Sequence, residues 1–171
     1  PIQRPMLSWL FHTHADNTIE LGRDRFTITG GRRGNLCDVQ IVTPWPGRWR
    51  EEFFFDHPRL RYDWFWEPLL CLVVLAPYRT GEPPPEISTE GTADGCGLSI
   101  RIGQCVYTAL SASPEHTLGF NTIETDAEFA LVCTRGDKIE TYLLTAGTQL
   151  TAQGQSLVAQ SARADFVSDR T

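Results

Sequence analysis

The chain has 171 residues, 41% of them hydrophobic, and carries 15 basic residues against 21 acids for a formal net charge of −6. Apolar content of that size belongs to a folded domain and not to a disordered tail, and the length suits one domain of roughly 100–200 residues. No apolar run approaches the ~20 residues of a bilayer-crossing helix, and a net acidic chain is ill suited to neutralising a phosphate backbone; no membrane and no nucleic acid is expected as a partner.

Taken in order, the chain reads as strands. Leu7, Trp9 and Phe11 alternate with more polar neighbours, as do Phe26 and Ile28, then Cys37, Val39 and Ile41. That period of two is the signature of a strand with one buried face. Residues 69–75 form a continuous apolar run, expected as a buried strand ended by Pro77. Residues 80–97 hold Pro83-Pro84-Pro85 and several Gly and acids, which predicts a mobile surface loop. Leu98, Ile100 and Ile102 resume the alternation. The last third predicts antiparallel strands over 128–135, 138–145, 148–151 and 155–160, with 162–167 as a further edge. Turn signals separate them at Gly22-Arg23-Asp24, Gly30-Gly31, Gly103-Gln104, Arg135-Gly136-Asp137, Ala146-Gly147 and Gln153-Gly154. No stretch carries a sustained helical period. The turn spacing suits an all-β sandwich or barrel; the fold expected is an antiparallel β-sandwich, as a single domain over 1–171 with a loop at 80–97. The start at Pro1, without Met or a signal sequence, leads us to expect a piece of a longer chain: a domain, a processed product or a truncated record.

Several residues invite a chemical reading. His12-Thr13-His14-Ala15-Asp16 places imidazoles and a carboxylate at alternate positions, a donor set suited to zinc, iron or manganese. With Glu20 it resembles the first motif of the cupins, and His12, His14 and Glu20 are the candidate metal ligands of that alternative. The competing reading is a strand end followed by a polar turn, with no metal and no cofactor. The five Cys lack any CxxC pairing. Cys71, Cys105 and Cys133 lie in apolar runs and read as structural thiols, and a Cys96–Cys105 disulfide is the other option. Asp63, Asp94, Asp126, Glu128 and Glu140 read as solvated acids at strand ends. No nucleophile elbow, P-loop or dinucleotide fingerprint occurs.

Residues 43–67 stand apart. All of the five Trp except Trp9 fall here, interleaved with Arg48, Arg50, Arg59 and Arg61. Lys138 is the only lysine of the chain, so its basic chemistry is that of guanidinium. Aromatic rings cover the C–H faces of sugars, and guanidinium binds carboxylate or sulfate bidentately. Trp45, Arg48, Trp49, Arg50, Arg61 and Trp64 are therefore the candidate substrate-binding residues. The alternative is that the rings fill a core while the arginines pair with Glu51, Glu52, Asp56 and Asp63. Pro44, Pro46 and Pro58 predict that part of the segment is a loop.

Three stretches carry a family likeness: Trp9-Leu10-Phe11-His12-Thr13 with Arg25-Phe26-Thr27-Ile28-Thr29-Gly30-Gly31; Leu36-Cys37-Asp38-Val39-Gln40-Ile41-Val42-Thr43-Pro44; and Leu72-Val73-Val74-Leu75-Ala76-Pro77. In this order, and with the ending through Asp126-Ala127, Tyr142-Leu143-Leu144, Gly147-Thr148 and Gly154, the chain resembles the C-terminal β-sandwich of heparinase II/III-type polysaccharide lyases over nearly its whole length. The resemblance implies a parent enzyme that cleaves uronic-acid-containing polysaccharides by β-elimination. It implies that the catalytic residues and metal ligands lie upstream, in a toroid and the first part of the β region, so that no residue of this chain is catalytic and His12 belongs to a structural strand. The implied partners are an acidic polysaccharide and the upstream catalytic domain. A stand-alone carbohydrate-binding or adhesion module is the non-enzymatic alternative.

Overall fold

The computed structural model describes residues 7–22, 25–30, 34–45, 47–65 and 70–169; Arg23, Asp24, Gly31, Pro46 and Leu69, which figure in the expectations above, lie outside them. The elements are β1 Leu7–His12, β2 Thr18–Leu21, β3 Arg25–Thr29, β4 Asn35–Val42, β5 Arg48–Phe54, β6 His57–Trp64, β7 Leu72–Arg79, β8 Glu86–Thr92, β9 Gly95–Ile102, β10 Cys105–Ala112, β11 Leu118–Phe120, β12 Ile123–Thr125, β13 Phe129–Arg135, β14 Lys138–Ala152 and β15 Gln155–Asp169. The fold is all-β and its strands pair antiparallel. The chain divides into two compact units, Pro1–Ile41 with Trp45–Leu69 and Val73–Pro85, and Val42–Pro44 with Leu70–Leu72 and Glu86–Thr171.

The first unit stacks two small sheets, ordered β1-β6-β5 and β2-β3-β4-β7. Strand alternation decides which side chains meet. Trp9 lies opposite Tyr62, and Tyr62 opposite Trp49; one step along, Phe11 lies opposite Leu60. This face packs on Phe26 and Val39 of the facing sheet, with Ile19, Ile28 and Val73 around them. Phe11 and Trp49 both meet the Phe26 ring, at centroid separations of 5.2 and 5.1 Å and interplanar angles of 67° and 77°. Such edge-to-face pairs add to the area they bury. The opposite face of β1-β6-β5 receives the residues between, and these are largely charged.

The second unit is one eight-stranded sheet, with the path β11-β12-β14-β13-β10-β9-β8 and β15 paired to β14. It curls until β11 returns over β9, where a side chain at Gly97 would come within 2.5 Å of the Phe120 ring. Leu110, Val132, Leu144 and Leu150, each fully buried, fill the interior.

Four local expectations need correction. The stretch 80–97 is not a loop: Ile87 and Thr89 turn inward along β8, which pairs with β9 over its whole length. Pro77 does not end β7, which continues to Arg79; β7 is an edge strand of its sheet, where a missing N–H costs no ladder bond. Ala146-Gly147 is not a turn. β14 passes through it with a register break between Leu144 and Gly147, a bulge that bends the strand without stopping it. Its bend is held by Asp126, which accepts hydrogen bonds from the Thr148 and Gln149 N–H groups at 2.8 and 3.0 Å and from Thr148 Oγ1 at 2.5 Å. The turn comes at Gln153-Gly154, with φ of 51° and 72°, as a two-residue hairpin requires. Finally, Cys96 and Cys105 are not bridged; all five Cys are free thiols. Cys96 is fully buried, and burial, with the neighbouring Cys71, pushes its thiol up to about 12.

Candidate functional site

The outer face of β1-β6-β5 gathers a cluster of charged residues. Register dictates this. Along β6, Pro58, Leu60, Tyr62 and Trp64 face the core, so His57, Arg59, Arg61 and Asp63 face away. Arg48 lies opposite Asp63, Arg50 opposite Arg61, and Glu52 opposite Arg59; on the other side Ser8, Leu10 and His12 lie opposite the same three β6 residues. Four arginines and two acids thus share one face of a three-stranded sheet.

Asp63 organises the face. It is completely buried, although the sequence places it among solvated acids. Ser8 Oγ donates to Asp63 Oδ1 at 2.7 Å and Arg61 Nε donates to the same oxygen at 2.5 Å, while Arg50 Nε lies 3.0 Å from Oδ2. Arg61 also reaches Ser8 Oγ at 3.0 Å. Burial alone would raise the Asp63 carboxyl; the Ser8 and Arg61 hydrogen bonds and the charges of Arg61 and Arg50 outweigh it and hold the group below the ordinary aspartate range. Arg61, in turn, is raised by its bond to Asp63. Glu52 plays the lesser part, paired with Arg59 and 3.9 Å from Arg61 Nη1.

Gly47 sets the entry to β5. Its N–H donates to Tyr62 Oη at 2.7 Å, and a Cβ there would meet the Asp63 carbonyl oxygen and the Tyr62 ring at 2.5 Å. Only glycine lets the chain pass so close and present Arg48 beside the Asp63 cluster.

The six predicted binding residues therefore separate. Arg48, Arg50 and Arg61 share the outer face, with Arg48 and Arg50 exposed and Arg61 partly so. Arg48 has no ion-pair partner among the described residues. Trp45 is 43% exposed and precedes β5. Trp49 is turned inward, its ring 4.6 Å from that of Tyr62 and in contact with Phe26. Trp64 is 1% exposed and offers no ring face to a sugar; it belongs to the core because it shares the parity of Tyr62. The His12, His14 and Glu20 set does not converge, and no group of three His, Cys, Asp or Glu suited to a metal occurs among the described residues. His14 instead lies edge-on to His57 at 6.0 Å and 3.6 Å from Asp16, which is the polar turn of the competing reading. Sequence reasoning missed Asp63 because a carboxylate between Tyr62 and Trp64 has no periodic signal of burial; only the cross-strand neighbours reveal it.

The arrangement can receive an anion. Arg50 is ion-paired with Asp63 Oδ2 and its side chain is 48% exposed; Arg48 stands two residues along on the same side of β5. Fixed guanidinium groups whose stems are held by a buried carboxylate bind oxyanions with less loss of side-chain freedom than mobile ones.

No protein-family model matches this chain, and no curated protein matches it either.

Proposed function

We propose that this chain is a non-catalytic β module of a heparinase II/III-like polysaccharide lyase, and that its outer β1-β6-β5 face contacts the uronic-acid-containing polysaccharide on which the parent enzyme acts by β-elimination. In this reading it packs beside an upstream catalytic toroid of the same parent and contributes no catalytic residue or cofactor. The observation that carries the contact is the Asp63-centred cluster, with Arg48 and Arg50 presented to solvent from one side of β5. The lyase assignment itself rests on the resemblance of the three strand motifs.

A uronate carboxylate suits these groups: it is planar, anionic and takes two parallel N–H bonds from one guanidinium. Because the chain as a whole carries −6, long-range attraction for a polyanion is weak and the contact is local. Binding should therefore weaken as salt screens the exposed arginines.

Titration of the protein with uronic-acid oligomers at low salt tests the contact. Charge-assisted hydrogen bonds contribute roughly 1.5–3 kcal/mol each, so Arg48→Ala and Arg50→Ala should each lower affinity about tenfold or more. Unchanged affinity in folded variants would exclude this face as the binding surface. The absorbance of an unsaturated uronate product should not develop with this chain alone; its appearance would reject the non-catalytic reading.

A further inference from the structure

Toward the turn of the same β5–β6 hairpin, past the end of the aromatic packing, lies a cavity of about 370 Å³. It falls within the usual size of small-molecule sites, roughly 300–1,000 Å³. Its apolar lining comes from Ile19, Phe53, Pro58 and Leu60, and its acids include Glu51 and Asp56. Leu60 is completely buried beneath it, whereas Phe53 is 74% exposed. The parity of β5 explains the mixture: Glu51 and Phe53 follow Trp49 on the inward face, but the facing sheet ends there at its short edge strand β2 and the turn before it.

The charges do not cancel. Glu52, also at the cavity, is neutralised by Arg59. Glu51 has no cationic partner among the described residues, and Asp56 has only His57 Nε2 at 3.5 Å. An apolar ligand would cover these carboxylates without satisfying them, which costs free energy. An anionic sugar would be repelled. The acids do not converge as a metal-sized group, so a bare cation finds no shell. What fits is a molecule with an apolar body and one positive head.

We infer that this cavity binds a small organic ammonium ligand, its head between Glu51 and Asp56 and over the Phe53 ring, its body on Ile19, Pro58 and Leu60. An ammonium group gains from both carboxylates and from the face of an aromatic ring within ~6 Å. The site borders Glu52 and Arg59 of the arginine face but does not include Arg48 or Arg50, and it does not depend on the glycan reading.

The test uses the whole chain and two probes of the same shape, phenethylammonium and the neutral 2-phenylethanol, with amide chemical shifts followed by NMR. The expected result is saturable shifts centred on Ile19, Phe53 and Leu60 with the ammonium, and binding at least about tenfold weaker with the alcohol. Glu51→Gln and Asp56→Asn each lower ammonium affinity several-fold, and Phe53→Ala does the same; Glu51, Phe53 and Asp56 are exposed, so the amide spectrum keeps its dispersion. Equal binding of the two probes, shifts elsewhere on the protein, no saturable binding, or unchanged affinity in the Glu51→Gln, Asp56→Asn double variant would each overturn the assignment.

Discussion

The two units bury their polar atoms by different chemistry. Among the described residues of the second unit, the buried polar ones are Ser99, Thr108, Ser111, Ser113, Thr125 and Thr134, hydroxyls throughout. Several return a proton to a main-chain carbonyl: Ser111 to Glu128 at 2.6 Å, Ser113 to Ala93 at 3.0 Å and Thr125 to Gln149 at 2.7 Å. In the first unit they are carboxylates, Asp38 and Asp63. Asp38 accepts from Thr27 Oγ1 at 2.7 Å and Tyr78 Oη at 3.2 Å, and Asp63 from Ser8 and Arg61. Neutral hydroxyl-to-carbonyl bonds stitch strands together and leave no net charge behind. Buried carboxylates require cations or donors around them: hydroxyls meet Asp38, and Asp63 gathers arginine.

The sharpest way to break this comparison is to remove one central group from each unit. Leu150→Ala in the apolar interior should cost about 4 kcal/mol from the lost methyl groups and the cavity left behind, read by urea unfolding and by faster amide exchange along β12, β14 and β15. Its penalty should not change between pH 7 and pH 5, since no titrating group is involved. Asp63→Ala should cost about 3 kcal/mol, the low end for a broken buried pair, because Arg50 and Arg61 can turn part of their charge to water. Its loss should appear as faster exchange in β1, β5 and β6. A variant that unfolds no more easily than the parent would show that the cluster organises the surface without holding the unit together.

Acid sharpens the contrast further. Asp63 is held below its ordinary value, so its pairing stabilises the folded state fully above the unfolded value of about 3.9 and loses that contribution as pH falls through the lower folded one. Asp126 behaves alike in the second unit: burial would raise it, but the Thr148 and Gln149 donors hold it down. Asp126→Asn should cost about 1 kcal/mol at pH 7 and flatten the acid limb in the second unit only. An acid limb unaltered by this substitution, followed by exchange at Thr148 and Gln149, would place the titrating group elsewhere.

Much of the fold was legible in the sequence because a half-buried strand writes its period directly. Trp9 and Phe11 point inward as read, as do Phe26 and Val39, whereas Leu7 at the start of β1 is 38% exposed. The boundaries were less legible where a turn residue serves another purpose. Gly147 reads as a turn but sits in a bulge, where a Cβ would strike Ala127 Cβ at 2.7 Å. The triple proline at 83–85 reads as the start of a long loop, yet β8 begins at the next residue. At the candidate site the arginines were found by composition, and parity then divided the tryptophans from them: Trp49 and Trp64 are even steps from each other across Tyr62, and both turn inward. Asp63 and the Glu51–Phe53–Asp56 cavity were out of reach, since both depend on which strand lies beside β6 and where the facing sheet ends.

The position of β5 at the edge of its sheet carries one more consequence. An edge strand offers unpaired N–H and C=O groups to any other extended chain, and charged side chains are a common guard against such additions. Arg48, Arg50, Glu51 and Glu52 run along this edge. These charges form a barrier to strand-by-strand aggregation, and replacing them together with apolar residues would favour self-association.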